Sequence, residues 1–159
     1  MSIFAQLATA FGIGRIGRAP GTVASLVAVV IAVPVLYYTG WIGMAVIALV
    51  TTLAGVWVAD GYGVETGIKD PQDCVIDEFA GQWVACAIMN INGPAADLWS
   101  GVARFALAFL LFRLFDIAKP GLVKKAENLR GGLGIMADDV LAGAIAGFIV
   151  FLVAYSGFV

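Results

Sequence analysis

Apolar residues run along this chain in long unbroken blocks rather than in a two-residue alternation or a narrow helical stripe. A bilayer core of about 30 Å takes about 20 apolar residues in a helix. The blocks Gly21 to Tyr38, Trp41 to Ala59, Leu98 to Phe115 and Val140 to Tyr155 reach or approach that length. A fifth block, Phe79 to Ile91, is shorter and becomes usable only if Ile76, Asp77 and Glu78 join its first turn, so acid enters with it. The pattern predicts an all-α polytopic bundle of about five transmembrane helices, in one membrane-embedded domain over residues 1–159. The opening "MSIFAQLATAFG" lacks the basic start, long apolar stretch and small-residue cleavage site of a signal peptide, and reads as a short interfacial helix.

Charge gives the blocks a sidedness. The connections "YTGW" and "NINGPAAD" hold no Lys or Arg, whereas Arg15, Arg18, Lys69, Arg113, Lys119, Lys124, Lys125 and Arg130 all fall on the other side. The positive-inside rule makes that side cytoplasmic. With the N-terminus inside, the segments Gly12 to Gly21, Asp60 to Glu78 and Arg113 to Asp139 meet at one surface of a cytoplasmic (inner) membrane.

Composition agrees and removes several chemistries. The chain is 62 % hydrophobic and 13 % charged, with a mean hydropathy of +0.99, which is a membrane composition. A net charge of -2 without a basic tail gives no sign of nucleic acid as a partner. There is no histidine, which excludes imidazole metal sites, Ser-His-Asp triads and phosphohistidine. Cys74 and Cys86, twelve apart and roughly 18 Å if one helix carries both, are too distant to bridge and read as packing residues.

What stands out is carboxylate. Asp60, Glu65, Asp70, Asp73, Asp77, Glu78, Asp116, Asp138 and Asp139 lie in or beside the cytoplasmic segments, while Asp97 lies outside them. Carboxylates near hydrocarbon are costly unless they pair, stay wet or hold a cation. Without His or a Cys cluster, the cation they suit is a hard one: Mg²⁺, or Mn²⁺ or Ca²⁺. Asp70 followed by Pro71 also suits a helix start, and Asp138 could cap the last helix. The adjacent pairs Asp77/Glu78 and Asp138/Asp139 exceed what capping needs. Asp60 and Asp116 each follow an apolar helix, where the dipole asks for a compensating cation.

The stretch "GIGRIGRAPGT", Gly12 to Thr22, offers Arg18, the backbone at Gly21 and Thr22, and a helix start able to hold an anion. It is neither a Walker A loop nor a dinucleotide fingerprint, and it reads equally as a plain loop into the membrane.

Four blocks together carry a resemblance: "APGT" at Ala19 to Thr22, "VIDEFAGQW" at Val75 to Trp83, "FRLFDIAKP" at Phe112 to Pro120 and "GGLGIMADDVLAG" at Gly131 to Gly143. In this order over nearly the whole chain, they resemble phosphatidylglycerophosphatase A, a Mg²⁺-dependent bacterial membrane phosphatase family. The resemblance implies hydrolysis of the phosphomonoester of phosphatidylglycerophosphate to phosphatidylglycerol and inorganic phosphate. It implies metal ligands at Asp60, Asp70, Asp77, Glu78, Asp116, Asp138 and Asp139, with Asp77, Glu78, Asp138 and Asp139 as the catalytic acids. Phosphate binding would fall to Arg113 and Lys119, helped by Arg18, Gly21 and Thr22. The chain departs from the family pattern at Ala24, where glycine is usual, and at Gly121-Leu122, where an aromatic and a second proline are common.

Two other classes compete with this reading. A CDP-alcohol phosphotransferase would also use membrane aspartates and Mg²⁺, but its "DGxxAR…GxxxDxxxD" pattern is absent, since Asp60-Gly61 is followed by Tyr62-Gly63. A small ion transporter would distribute acids toward the bilayer midplane rather than along one surface.

Overall fold

The structure, a computed structural model, describes residues 2–158. Among them every regular element is helical: α1 (Ile3–Ala8), a 3-10 turn (Ile13–Arg15), α2 (Pro20–Thr66), α3 (Ile76–Met89), α4 (Leu98–Ala118), α5 (Leu122–Glu127) and α6 (Gly132–Tyr155). Two of these, α2 and α6, are long and apolar enough to cross a membrane. The short third block remains short, since the 14 residues of α3 rise only about 21 Å.

α2 is 47 residues long but is not straight. At Gly40 the backbone turns to φ 67°, ψ -174°, a left-handed conformation that glycine adopts without a Cβ clash. This residue lies inside the "YTGW" connection and divides the element into limbs 20–39 and 41–66. The limbs fold back on each other, with Ala32 and Met44 in one buried cluster. Their outer ends return to the same end of the bundle, Gly21 against Glu78 of α3 and Asp60 against Gly132 of α6.

Glycine sets the central contact. A Cβ on Gly81 would stand 2.5 Å from the Asp139 carbonyl oxygen, and one on Gly147 would stand 2.7 Å from that of Ala85. α3 and α6 therefore pack backbone to backbone in parallel, the small-residue contact typical of helices in a membrane. Limb 20–39 runs parallel to α3, and the Trp83 indole N–H donates to the Ala28 carbonyl at 2.9 Å. α4 returns antiparallel, which brings Arg113 to Glu78. The beginnings of α2, α3 and α6 and the ends of limb 41–66 and α4 thus meet at one end.

Three local expectations change. α6 begins at Gly132, well before Val140, so Asp138 and Asp139 lie in its second turn and Asp138 is not a cap. The reason is that Asp60, reaching over from α2, accepts a hydrogen bond from the Gly132 N–H and caps α6 in place of a local side chain. Asp70-Pro71 does not start a helix either, since Pro71 closes a turn with the Cys74 N–H donating to its carbonyl at 2.8 Å, and α3 waits until Ile76. Cys74 and Cys86 are buried free thiols, as packing residues would be. Ala24 is fully buried in a cluster with Ala28, Val75 and Phe79, so its methyl is accommodated.

Candidate active site

A cavity of about 180 Å³ opens where those helix ends meet. Its walls carry Asp70, Asp77, Glu78, Asp116, Asp138 and Asp139, with Lys119 as the one cation, and Pro71, Gln72, Cys74 and Ile135 complete the lining. Glu78, Asp138 and Asp139 are only 8 %, 4 % and 3 % exposed, so these charges sit largely out of water. Six carboxylates from four separate elements do not gather in so small a space without a reason beyond folding. The close glycine contact of α3 with α6 is what places the two acid pairs face to face.

Two cations hold part of this charge. α4 continues through Asp116, so Arg113 and Asp116 share a face and pair at 2.9 Å. The same Arg113 Nη1 also meets Glu78 Oε2. Glu78 Oε2 accepts a further hydrogen bond from the buried Ser25 hydroxyl at 2.9 Å. Arg113 thus stands behind the cavity wall, where it fixes two of the carboxylates. Lys119 ends α4 in a left-handed conformation (φ 44°), a common way for a helix to stop just ahead of a proline that cannot continue it. That turn aims its ammonium at Asp138 Oδ2, 2.7 Å away, and at Glu127 Oε1, 2.8 Å away.

Electrostatics outside the helical spans follow from this. Burial pulls the Lys119 ammonium down, but its hydrogen bonds to Asp138 and Glu127 outweigh that and leave it above its ordinary value. The hydrogen bond to Lys119 lowers the Glu127 carboxyl. Burial raises Asp70, although nearby Lys119 pulls the other way. Burial also drives the Cys74 thiol up, so it stays protonated at neutral pH and is no nucleophile.

The donor set fits a hard cation in chemistry. Every anionic ligand is a carboxylate oxygen, their charge exceeds that of Lys119 and Arg113, and the buried Asp139 Oδ2 has no hydrogen-bond partner. Among the described residues, no three Asp, Glu or Cys side chains stand ready-made around one point. Arg113 and Lys119 pair with oxygens of Glu78, Asp116 and Asp138.

Of the residues singled out from the sequence, the structure brings Asp70, Asp77, Glu78, Asp116, Lys119, Asp138 and Asp139 to the cavity. Asp60 is not there; it is the cap of α6. Arg18 and Thr22 are exposed and do not line the cavity. Gly21 serves by its smallness, because a Cβ there would lie 2.0 Å from Glu78 Oε1. Ser25 and Glu127 escaped sequence reasoning. Ser25 had a signal, as a hydroxyl one turn after Gly21 in an otherwise apolar helix, but Glu127 looked like any surface charge.

Comparison with known proteins places this arrangement. The model of the family "Phosphatidylglycerophosphatase A" matches residues 6–154. A Bacteroides thetaiotaomicron protein with the provisional name phosphatidylinositol-3-phosphatase is 37 % identical over 152 residues, covering 93 % of this chain and 91 % of its own. Proteins named phosphatidylglycerophosphatase A from Haemophilus influenzae and Escherichia coli are 35 % and 31 % identical, each over 94 % of this chain and over 87 % and 82 % of their own lengths. No solved structure matches the chain significantly. With the family model spanning all four sequence blocks and every carboxylate of the cavity, the chain belongs to the phosphatidylglycerophosphatase A family.

Proposed function

We propose that this protein hydrolyses the phosphomonoester of phosphatidylglycerophosphate, releasing inorganic phosphate and leaving phosphatidylglycerol. The observation that carries the reading is a family match over residues 6–154 joined to a six-carboxylate cavity at one end of a membrane-type bundle. Five spans go with it: limbs 20–39 and 41–66, α3, α4 and α6, with the cavity at the cytoplasmic surface. The distribution of Lys and Arg supports that orientation, since the far-end connections at 39–41 and 90–97 carry neither.

Magnesium is the cofactor this reading requires. Asp77 and Asp139 would hold it, with Asp70 beside them, because Glu78 and Asp116 are engaged by Arg113 and Asp138 by Lys119. When bound, the ion supplies charge neutralisation for the phosphate and acidifies a coordinated water. Lys119 stands at the cavity edge to meet a phosphate oxygen and remains charged while it does so. In phosphoryl transfer little covalent work falls to the protein, and positioning with charge stabilisation is most of the catalysis. Water is the nucleophile we favour, with an aspartate carboxylate second. Arg113 and Ser25 keep Glu78 in register.

A second headgroup reading has one specific support, the name of the Bacteroides relative. The experiment is phosphate release from phosphatidylglycerophosphate and from phosphatidylinositol 3-phosphate in matched mixed micelles with Mg²⁺. Preference for the former by at least about tenfold is expected, and the reverse preference reassigns the headgroup. Release from neither rejects the phosphatase reading.

A further inference from the structure

We infer that the N-terminal segment is a membrane-seated strap that positions Asp70, with Phe11 as its anchor in an anionic lipid surface. The inference rests on the cavity end lying at that surface.

The segment is tied to the protein along its length but presents apolar side chains outward. Phe4 packs edge-on to Trp57 with ring centres 4.8 Å apart and lies over Gly61, which fixes α1 on α2. After α1 the chain passes through three consecutive positive φ angles, 46° at Ala10, 57° at Phe11 and 98° at Gly12. Left-handed backbone is ordinary for Gly12 but costs energy at Ala10 and Phe11. Hydrogen bonds maintain it: the Phe11 N–H donates to the Gln6 carbonyl at 2.7 Å, and the Gly12 N–H donates to the Thr9 hydroxyl at 3.1 Å. The outcome of that strained turn is a phenyl ring 78 % exposed at the cavity end. In water this would be an unfavourable use of strain. In the membrane interface it is the aromatic anchor that such depths favour.

Charge identifies the surface. Ile16, 56 % exposed, stands just before the exposed Arg18, and Ile68, 56 % exposed, precedes Lys69. Apolar groups interleaved with cations at the same end match a leaflet with anionic headgroups.

The strap reaches the site through the loop that carries Asp70. Gly14 is buried against that loop, where a Cβ would stand 2.1 Å from the Asp73 carbonyl oxygen. Arg15 pairs with Asp73 at 3.1 Å, and the Tyr62 hydroxyl donates to the same carboxylate at 2.7 Å. The Val75 N–H donates to the Ala8 carbonyl at 2.8 Å. The segment therefore fixes both Asp73 and Val75, and Asp70 sits on the same loop in the cavity wall. The seating of Phe11 in lipid is transmitted to the cavity over these contacts.

The test uses the full chain in vesicles and has two independent readouts. A nitroxide label at Phe11→Cys is read for accessibility to oxygen and to a water-soluble nickel complex. The label should be oxygen-accessible and shielded from nickel, more so when anionic phospholipid is added to zwitterionic vesicles. A fully aqueous label, or one indifferent to lipid charge, overturns the anchor. Depth is read without turnover, so it survives a failure of the phosphatase reading. Phe11→Gly relieves the φ strain while deleting the ring, so it should not lower the melting temperature. It should reduce kcat in vesicles about threefold, with activity retained by Phe11→Leu. Unchanged kcat for Phe11→Gly, or an equal loss for Phe11→Leu, overturns the positioning role.

Discussion

Gly143 lies so close to Gly81 that a Cβ on it would stand 2.0 Å from the Gly81 carbonyl oxygen. The contact is backbone against helix, with no flexible side chain to yield. Gly143→Ala must therefore move α6 away from α3, at a cost of about 1–3 kcal/mol for overpacking. Because the acid pairs Asp77/Glu78 and Asp138/Asp139 sit just beyond this contact, turnover should fall together with the melting temperature. Gly101→Ala, whose Cβ would meet only Ala95 at 3.7 Å inside α4, should leave turnover unchanged and hold or raise the melting temperature.

Arg113 meets Glu78 and Asp116 through the same Nη1, which stands farther from the backbone than a lysine ammonium reaches. Arg113→Lys should lower kcat by at least about tenfold, equivalent to ~1.4 kcal/mol of barrier. The double change Lys124→Ala with Lys125→Ala removes two exposed charges of α5 and should leave turnover near wild type. Comparison of both variants in one detergent, with folding checked by thermal melting, reads the difference; equal activities would reject a positioning role for Arg113.

Ser25 donates to the buried Glu78 carboxylate, and hydrogen bonds to charged groups contribute about 1.5–3 kcal/mol. Ser25→Ala should weaken kcat, whereas Thr22→Ala, at an exposed position outside the cavity, should be silent. Steady-state assays that rank the two the other way would restore the phosphate-binding role expected of Thr22.

How far the sequence was legible depended on range. The apolar blocks located every long helix, and Gly40 fell inside the connection read between Tyr38 and Trp41. Type and sidedness singled out nine carboxylates with the six of the cavity among them, because charge is so costly in this setting that its presence is informative, and the family resemblance narrowed the set to seven. What could not be read was pairing at a distance. Asp60 looked like a ligand because nothing local shows that it caps Gly132 across the bundle. Arg113 looked like a phosphate clamp because its reach to Glu78 depends on how α4 crosses α3. Asp138 and Asp139 seemed to stand at a helix entrance because that remote cap extends α6 backward by two turns.

Metal binding should be coupled to protons. Burial holds the Asp70 carboxyl above its ordinary 3.8, so just above that pH the ion-free protein retains a proton that an unfolded chain would release. A cation in the cavity favours the carboxylate and expels that proton, so apparent Mg²⁺ affinity should fall as pH is lowered toward that range. Calorimetry in buffers of different ionisation enthalpy should record proton release on Mg²⁺ addition. Proton uptake would contradict the direction of the shift.

The central claim is that the cavity acids turn over a lipid phosphomonoester with a bound hard cation, and phosphate release by purified protein tests it most directly. With phosphatidylglycerophosphate in mixed micelles, wild type should release phosphate with Mg²⁺ and stop in EDTA. Asp77→Asn, Glu78→Gln, Asp138→Asn and Asp139→Asn should each fall by at least about 100-fold, the scale of one lost electrostatic stabiliser. Undiminished release in EDTA, or wild-type release by Asp139→Asn despite its unpartnered buried oxygen, would contradict the account.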